Sequence, residues 1–150
     1  MRVLLVEDDR GIRVTLQDAL EEAGYEVQVC PDGSSALEFI ESRAFDLLLT
    51  DIRMPHVDGI TLFHKLRRLD PSIPVIFMTA YDNTTEAVDL IRHGARDYLT
   101  KPFDIYDLLQ RIAQIKEELA FRQGLIDGAI SGHQKRAEIR GTAPATKRLI

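Results

Sequence analysis

The sequence has a single cysteine, Cys30, so no disulfide can form within the chain. Cys30 sits in the apolar alternation "YEVQVC" and reads as a packed core thiol rather than a reactive one. Long hydrophobic runs are missing too. The apolar run after Met1-Arg2 is too short for a signal peptide, and no segment approaches the length of a membrane span. The expectation is a soluble, cytoplasmic protein with no membrane partner. Positive charge is scarce in the main body: residues 1–121 hold 13 Lys and Arg against 22 Asp and Glu. Phosphate repulsion then disfavours nucleic-acid binding by that part. The first apolar run leads into "EDDRGIR" rather than a glycine-rich loop, which disfavours a dinucleotide site. A GxxxxGKS/T phosphate loop is absent, which excludes ATP hydrolysis by that route.

What is there supports one packed domain with a short appendage: 150 residues, 45% of them hydrophobic. Short apolar runs alternate with helical patterns five times. "RVLLVE" precedes Ile12, Leu16, Ala19, Leu20 and Ala23; "YEVQVC" precedes Ala36, Leu37 and Ile40, with Asp32 as N-cap. "FDLLLTD" precedes Ile60, Phe63, Leu66 and Leu69; "IPVIFMTA" precedes Ala87, Leu90 and Ile91, with Gly94 closing the helix. "RDYLTKP" precedes Ile105, Leu108, Leu109 and Ile112. Apolar strands separated by single helices imply an α/β fold with a parallel sheet covered on both faces. Function in such a sheet belongs at the carboxyl ends of the strands, where the winding reverses.

Those ends carry chemistry. The first delivers Glu7, Asp8 and Asp9, the third Asp51, the fourth Thr79 and the fifth Lys101-Pro102. A lone strand-end aspartate is more often structural, and Glu7-Asp8-Asp9 alone could be a turn with a helix cap. Together they place carboxylates, a hydroxyl and an ammonium on one rim. Clustered carboxylates repel unless a counter-charge joins them, and Mg²⁺ suits few carboxylates plus water and a phosphate-bearing partner. A carboxylate can attack phosphorus to give an acyl phosphate. Asp51, ending the central strand, is the expected acceptor.

The stretches "LLVEDDRGIR", "DLLLTDIRMPHVDG", "VIFMTAY" and "ARDYLTKPF" strongly resemble the receiver domain of two-component response regulators, over about residues 1–120. The resemblance implies a flavodoxin-like (CheY-like) five-stranded parallel sheet of order 2-1-3-4-5. It also implies phosphoryl transfer to Asp51 from a sensor histidine kinase or phosphotransfer protein. By the same resemblance Glu7 and Asp8 are the acidic Mg²⁺ pair, with Asp8 the closer ligand and Asp9 peripheral. Asp51 and the backbone carbonyl of Arg53 complete the protein's share. Thr79 is the switch hydroxyl, Lys101 the phosphate-binding lysine and Tyr98 the switch aromatic, the plain alternative for Tyr98 being an ordinary half-buried ring. The Lys101–Pro102 peptide is expected to be cis, a trans proline opening the last helix being the other possibility. His56 departs from the glycine many relatives carry.

Beyond the site, the last helix, from Asp104 to about Gln123, outruns the sheet. Ile105, Leu108, Ile112, Ile115, Leu119 and Ile126 follow an a/d heptad pattern broken by Arg122. A homodimer through the face of the fourth helix, fifth strand and fifth helix, and through this extension, is expected. The domain reading is a receiver over 1–121, a linker over 122–138 whose start could be helical or coiled-coil, and 139–150 as a possible opening of an AAA+ ATPase domain. The stretch "IRGTAPATKRLI" is similar to that opening in sigma-54-dependent (NtrC-like) transcription activators. On that reading the chain is a regulatory fragment, reaching DNA and sigma-54 RNA polymerase only through absent downstream domains; a free-standing receiver with a tail is the alternative. Two further functions stay open. A Mg²⁺-dependent phosphohydrolase would use the same carboxylates, but the aspartate-x-aspartate pattern of the haloacid-dehalogenase family is missing. A pseudo-receiver would act only as an interaction module. The chain is expected to catalyse only its own phosphorylation and dephosphorylation.

Overall fold

The computed structural model describes residues 1–126. Its elements are β1 (Arg2–Val6), α1 (Arg10–Glu22), β2 (Glu26–Cys30), α2 (Gly33–Ser42), β3 (Leu47–Asp51), α3 (Gly59–Leu69), β4 (Val75–Thr79), α4 (Thr84–Arg92), β5 (Asp97–Thr100) and α5 (Ile105–Ile126). The strands form one sheet in the order β2-β1-β3-β4-β5, and every pairing is parallel. This is the flavodoxin-like topology expected from the sequence.

The chain divides into two compact units, Met1–Ile105 and Tyr106–Ile150. In the first, β3 and β4 are buried along their whole length, which is why they read as unbroken apolar runs. Side chains alternate across a strand. Leu4, Val6, Leu48 and Phe77 join Ala36 and Ile40 of α2, Leu62, Phe63 and Leu66 of α3 and Leu90 of α4 in one core. Val3, Leu5, Leu47, Leu49, Ile76 and Met78 are equally buried and alternate with that set. Leu16 and Leu20 are the buried residues of α1, which packs on β1 and β2. Cys30 is buried, and burial pushes its thiol pKa up, as a core thiol requires.

The helices start where the capping rules place them. Asp9, Asp32, Asp58 and Asn83 each accept a backbone N–H of the first turn. Helical periodicity overreached at three positions: Ala23, Leu69 and Ile91 are exposed, because Ala23 caps the end of α1, Leu69 is the last residue of α3 and Ile91 falls beside the buried stripe that Leu90 marks on α4. Gly94 follows the end of α4 at φ +110°, in the region a side chain disfavours. In the second unit the described part is the remainder of α5, a single helix reaching Ile126 and so past the expected end near Gln123. Within it an i,i+4 pair joins Arg111 to Asp107 at 3.2 Å. The expectations for residues 127–150 lie outside the described residues.

Candidate functional site

The rim of β1, β3 and β4 is built by strand register. β3 lies between β1 and β4, so Asp51 ends the middle strand with Glu7 and Thr79 at the ends of its neighbours. Pro55 and Gly59 close the turn behind it. Gly59 N–H donates to the Ile52 carbonyl at 2.8 Å, and a Cβ at Gly59 would stand 2.2 Å from the Asp51 carbonyl oxygen. That close approach admits only glycine. The Thr50 hydroxyl donates to the same carbonyl oxygen at 2.9 Å. His56 adopts φ +67°, which accounts physically for glycine being suited to that place.

Asp51 and Thr79 are buried, and Glu7 is 0% exposed. The Lys101 ammonium joins two of the carboxylates, donating to Glu7 Oε1 at 2.6 Å and to Asp51 Oδ2 at 3.1 Å. Lys101 N–H donates to the Thr79 carbonyl at 2.6 Å, and the Lys101–Pro102 peptide is cis. Asp9 N–H donates to Glu7 Oε2 at 3.1 Å, while the Asp9 carboxylate is spent on capping α1. Asp9 is therefore peripheral. Burial, with a smaller contribution from the charge of Asp51, pushes the Glu7 carboxyl up to about 7 against the hydrogen bonds from Lys101 and Asp9 N–H. For Lys101, burial works against the ammonium, but the bond to Glu7 and the charges of Asp51 and Glu7 outweigh it and raise its pKa.

One carboxylate oxygen each from Glu7, Asp8 and Asp51 lies within 4.8 Å of the others. Three clustered carboxylates, only two of them bonded to the ammonium, make a donor set that fits a hard divalent cation. Asp8 is exposed, as is Arg53. Tyr98 is half-buried on β5 beside Phe77. Its hydroxyl donates to Glu86 Oε1 at 3.1 Å and lies 3.3 Å from the Tyr81 carbonyl; burial and then the Glu86 carboxylate raise its phenol pKa to about 12. The Thr79 hydroxyl oxygen accepts Tyr81 N–H at 3.1 Å.

The rim thus gathers Glu7, Asp8, Asp51, Thr79 and Lys101 from four strand ends, and residues 3–113 match the response regulator receiver domain. The chain belongs to that family. Transcriptional regulatory protein ZraR of Escherichia coli O157:H7 is 42% identical over 151 residues, covering 99% of this chain and 33% of its own length. Response regulator protein FleR of Pseudomonas aeruginosa is 42% identical over 113 residues, 75% of this chain and 24% of FleR. The receiver domain of Francisella response regulator 1452 superposes with a TM-score of 0.74 at 35% identity, over 79% of this chain and 98% of that one. This receiver chain therefore spans a quarter to a third of the two curated relatives. Among the described residues no helix is long and apolar enough to cross a membrane.

Two participants at this receiver's rim were not legible in sequence: Glu86 and the ring of Tyr81. Arg53 lies over that ring at 4.7 Å and 3.6 Å from Glu86 Oε2. Glu86 stands in the first turn of α4, where an acid is explained by the helix dipole alone, so its pattern gave no signal.

Proposed function

We propose that this receiver domain takes a phosphoryl group onto Asp51 from the phosphohistidine of a sensor kinase or phosphotransfer protein. The observation that carries the reading is the Asp51 carboxylate, 3.1 Å from the Lys101 ammonium and within 4.8 Å of oxygens of Glu7 and Asp8. An Asp51 carboxylate oxygen forms the new bond to phosphorus. The bond from phosphorus to the donor's imidazole nitrogen breaks, and its electron pair stays on that nitrogen. Lys101 holds the acceptor carboxylate in place and then offsets negative charge on the phosphoryl oxygens. The Thr79 hydroxyl turns toward one of those oxygens, giving up its bond with Tyr81 N–H. Glu7, Asp8, Asp51 and the Arg53 carbonyl are the residues that hold Mg²⁺, which when bound neutralises and orients the transferring group.

The phosphate adds about two negative charges at the rim. Tyr98 follows Thr79, and the change passes to α4 and β5, with the heptad positions of α5 serving a homodimer in the cytoplasm. The output is control of an attached transcription-regulating domain, a reading supported by the likeness to transcriptional regulatory protein ZraR along 99% of this chain, and the stretch "IRGTAPATKRLI" favours the sigma-54-dependent kind. Incubation with acetyl phosphate and Mg²⁺ is expected to add one base-labile phosphate per chain, lost in Asp51→Asn. Repeated turnover of a phosphate ester, or no adduct on the unsubstituted protein, overturns the reading.

A further inference from the structure

Beside the phosphoacceptor, four residues close a ring of contacts and Thr79 is tied to it through one of them. The Thr79 hydroxyl oxygen accepts Tyr81 N–H at 3.1 Å. The Tyr81 ring lies under the Arg53 guanidinium at 4.7 Å. Arg53 pairs with Glu86 Oε2 at 3.6 Å, Glu86 Oε1 accepts the Tyr98 hydroxyl at 3.1 Å, and that hydroxyl returns to the Tyr81 carbonyl at 3.3 Å. Glu86 is the hub, because one oxygen serves a cation and the other a phenol. Its side chain is 19% exposed, so the carboxylate depends on both partners for the hydration it has given up. The capping of α4 does not need it: Asn83 already accepts the Glu86 N–H at 3.0 Å.

The ring joins the two ends of the proposed switch. Arg53 lies two residues past Asp51, and Thr79 and Tyr98 are the groups expected to move. Resting on the phosphoacceptor reading above, we infer that Glu86 is a positioning residue: by holding Arg53 and Tyr98 it keeps the loop after Asp51 and the aromatic of β5 in the unphosphorylated arrangement, and so sets how readily phosphate shifts the domain. A contact made in only one of two states biases the equilibrium by its full strength there. Loss of the tie removes a bias of the kind that charge-assisted bonds at a half-buried site supply, so the competing state becomes about three- to tenfold more populated.

The test uses the full chain labelled with fluorotyrosine, with Tyr98→Phe to assign the Tyr98 resonance. Glu86→Gln and Glu86→Ala, recorded without metal or phosphodonor, are expected to shift and broaden that resonance. With acetyl phosphate and Mg²⁺ the same variants label about three- to tenfold faster, in line with the population change. Arg53→Ala added to Glu86→Ala changes the rate by less than the product of the two single effects, because their pair is already broken and only the Arg53 contact on the Tyr81 ring is left to lose. A Tyr98 resonance unmoved in both Glu86 variants overturns the inference, as do Arg53 and Glu86 effects that simply multiply. The isosteric glutamine keeps the test open if the alanine variant folds poorly. A Tyr98 response to Glu86 in a protein that takes up no phosphate overturns the proposed function instead, and the tie stands.

Discussion

Two carboxylate ties stand side by side on this rim, and they are built oppositely. At Lys101 one ammonium serves two carboxylates, and its side chain is 13% exposed beside Glu7 at 0% and Asp51 at 9%. At Glu86 one carboxylate serves a cation and a phenol, and the cation, Arg53, is 49% exposed. Burial makes the first tie obligatory, since removing one charge strands the others away from water. The exposure of Arg53 makes the second adjustable, because water rehydrates the guanidinium when the pair parts. The inner tie fixes the Asp51 carboxylate against Glu7, and on the proposal above the outer one adjusts a neighbouring equilibrium.

The largest expected effect breaks the inner tie. Lys101→Met leaves Glu7 and Asp51 buried without their shared cation, and should lower stability by about 3 kcal/mol in urea titrations with a chelator present. Arg53→Met should cost under about 1 kcal/mol in the same assay. Mg²⁺ should return part of the Lys101→Met loss by binding the folded state. Equal losses for the two variants would erase the distinction between the ties. A smaller effect sharpens it at the level of backbone packing. Gly59→Ala puts a methyl group 2.2 Å from the Asp51 carbonyl oxygen and should cost about 2 kcal/mol as β3 and α3 move apart. Gly11→Ala, at the start of α1, meets only the Asp9 Oδ1 atom at 3.4 Å. It should be neutral or slightly stabilising, since alanine favours helix over glycine. Denaturation midpoints that rank the two glycine variants the other way would show that the floor beneath Asp51 is pliable.

The inner tie was legible in the sequence and the outer one was not, for a physical reason. Glu7, Asp8, Asp51, Thr79 and Lys101 each end an apolar run, and a doubly wound parallel sheet brings such ends to one rim, so order along the chain translates into proximity. No comparable rule joins Arg53, Tyr81, Glu86 and Tyr98. Their meeting depends on how the loop after β4 and the first turn of α4 settle against β5. Glu86 has a sufficient local explanation in its helix terminus, which masks its tertiary role. His56 shows the intermediate case: its departure from glycine is visible in sequence, but only the φ of +67° says what the glycine is for. Leu69 and Ile91 show the converse, with helical spacing that the ends and flanks of short helices leave exposed.

The smallest effect reads the outer tie through a proton. The Tyr98 phenol is raised to about 12, first by burial and then by the Glu86 carboxylate that accepts its hydrogen bond. An unfolded tyrosine titrates near 10. As pH rises from about 10 to about 12, the unfolded chain releases this proton while the folded domain keeps it, so the unfolded state binds fewer protons and stability falls with pH. The contribution is complete below pH ~10 and is lost as pH passes the folded value. Subtracting the ultraviolet titration of Tyr98→Phe from that of the unsubstituted protein isolates this phenol from the other tyrosines. Glu86→Gln should bring its midpoint part of the way back toward 10 and no further, because burial, the first cause, is untouched. A return all the way would mean that the carboxylate alone sets the phenol's environment and that the ring is no more buried than an exposed tyrosine. No movement at all would mean that the charge on Glu86 is already spent on Arg53, and the two halves of the outer tie would then be independent contacts that merely share a side chain.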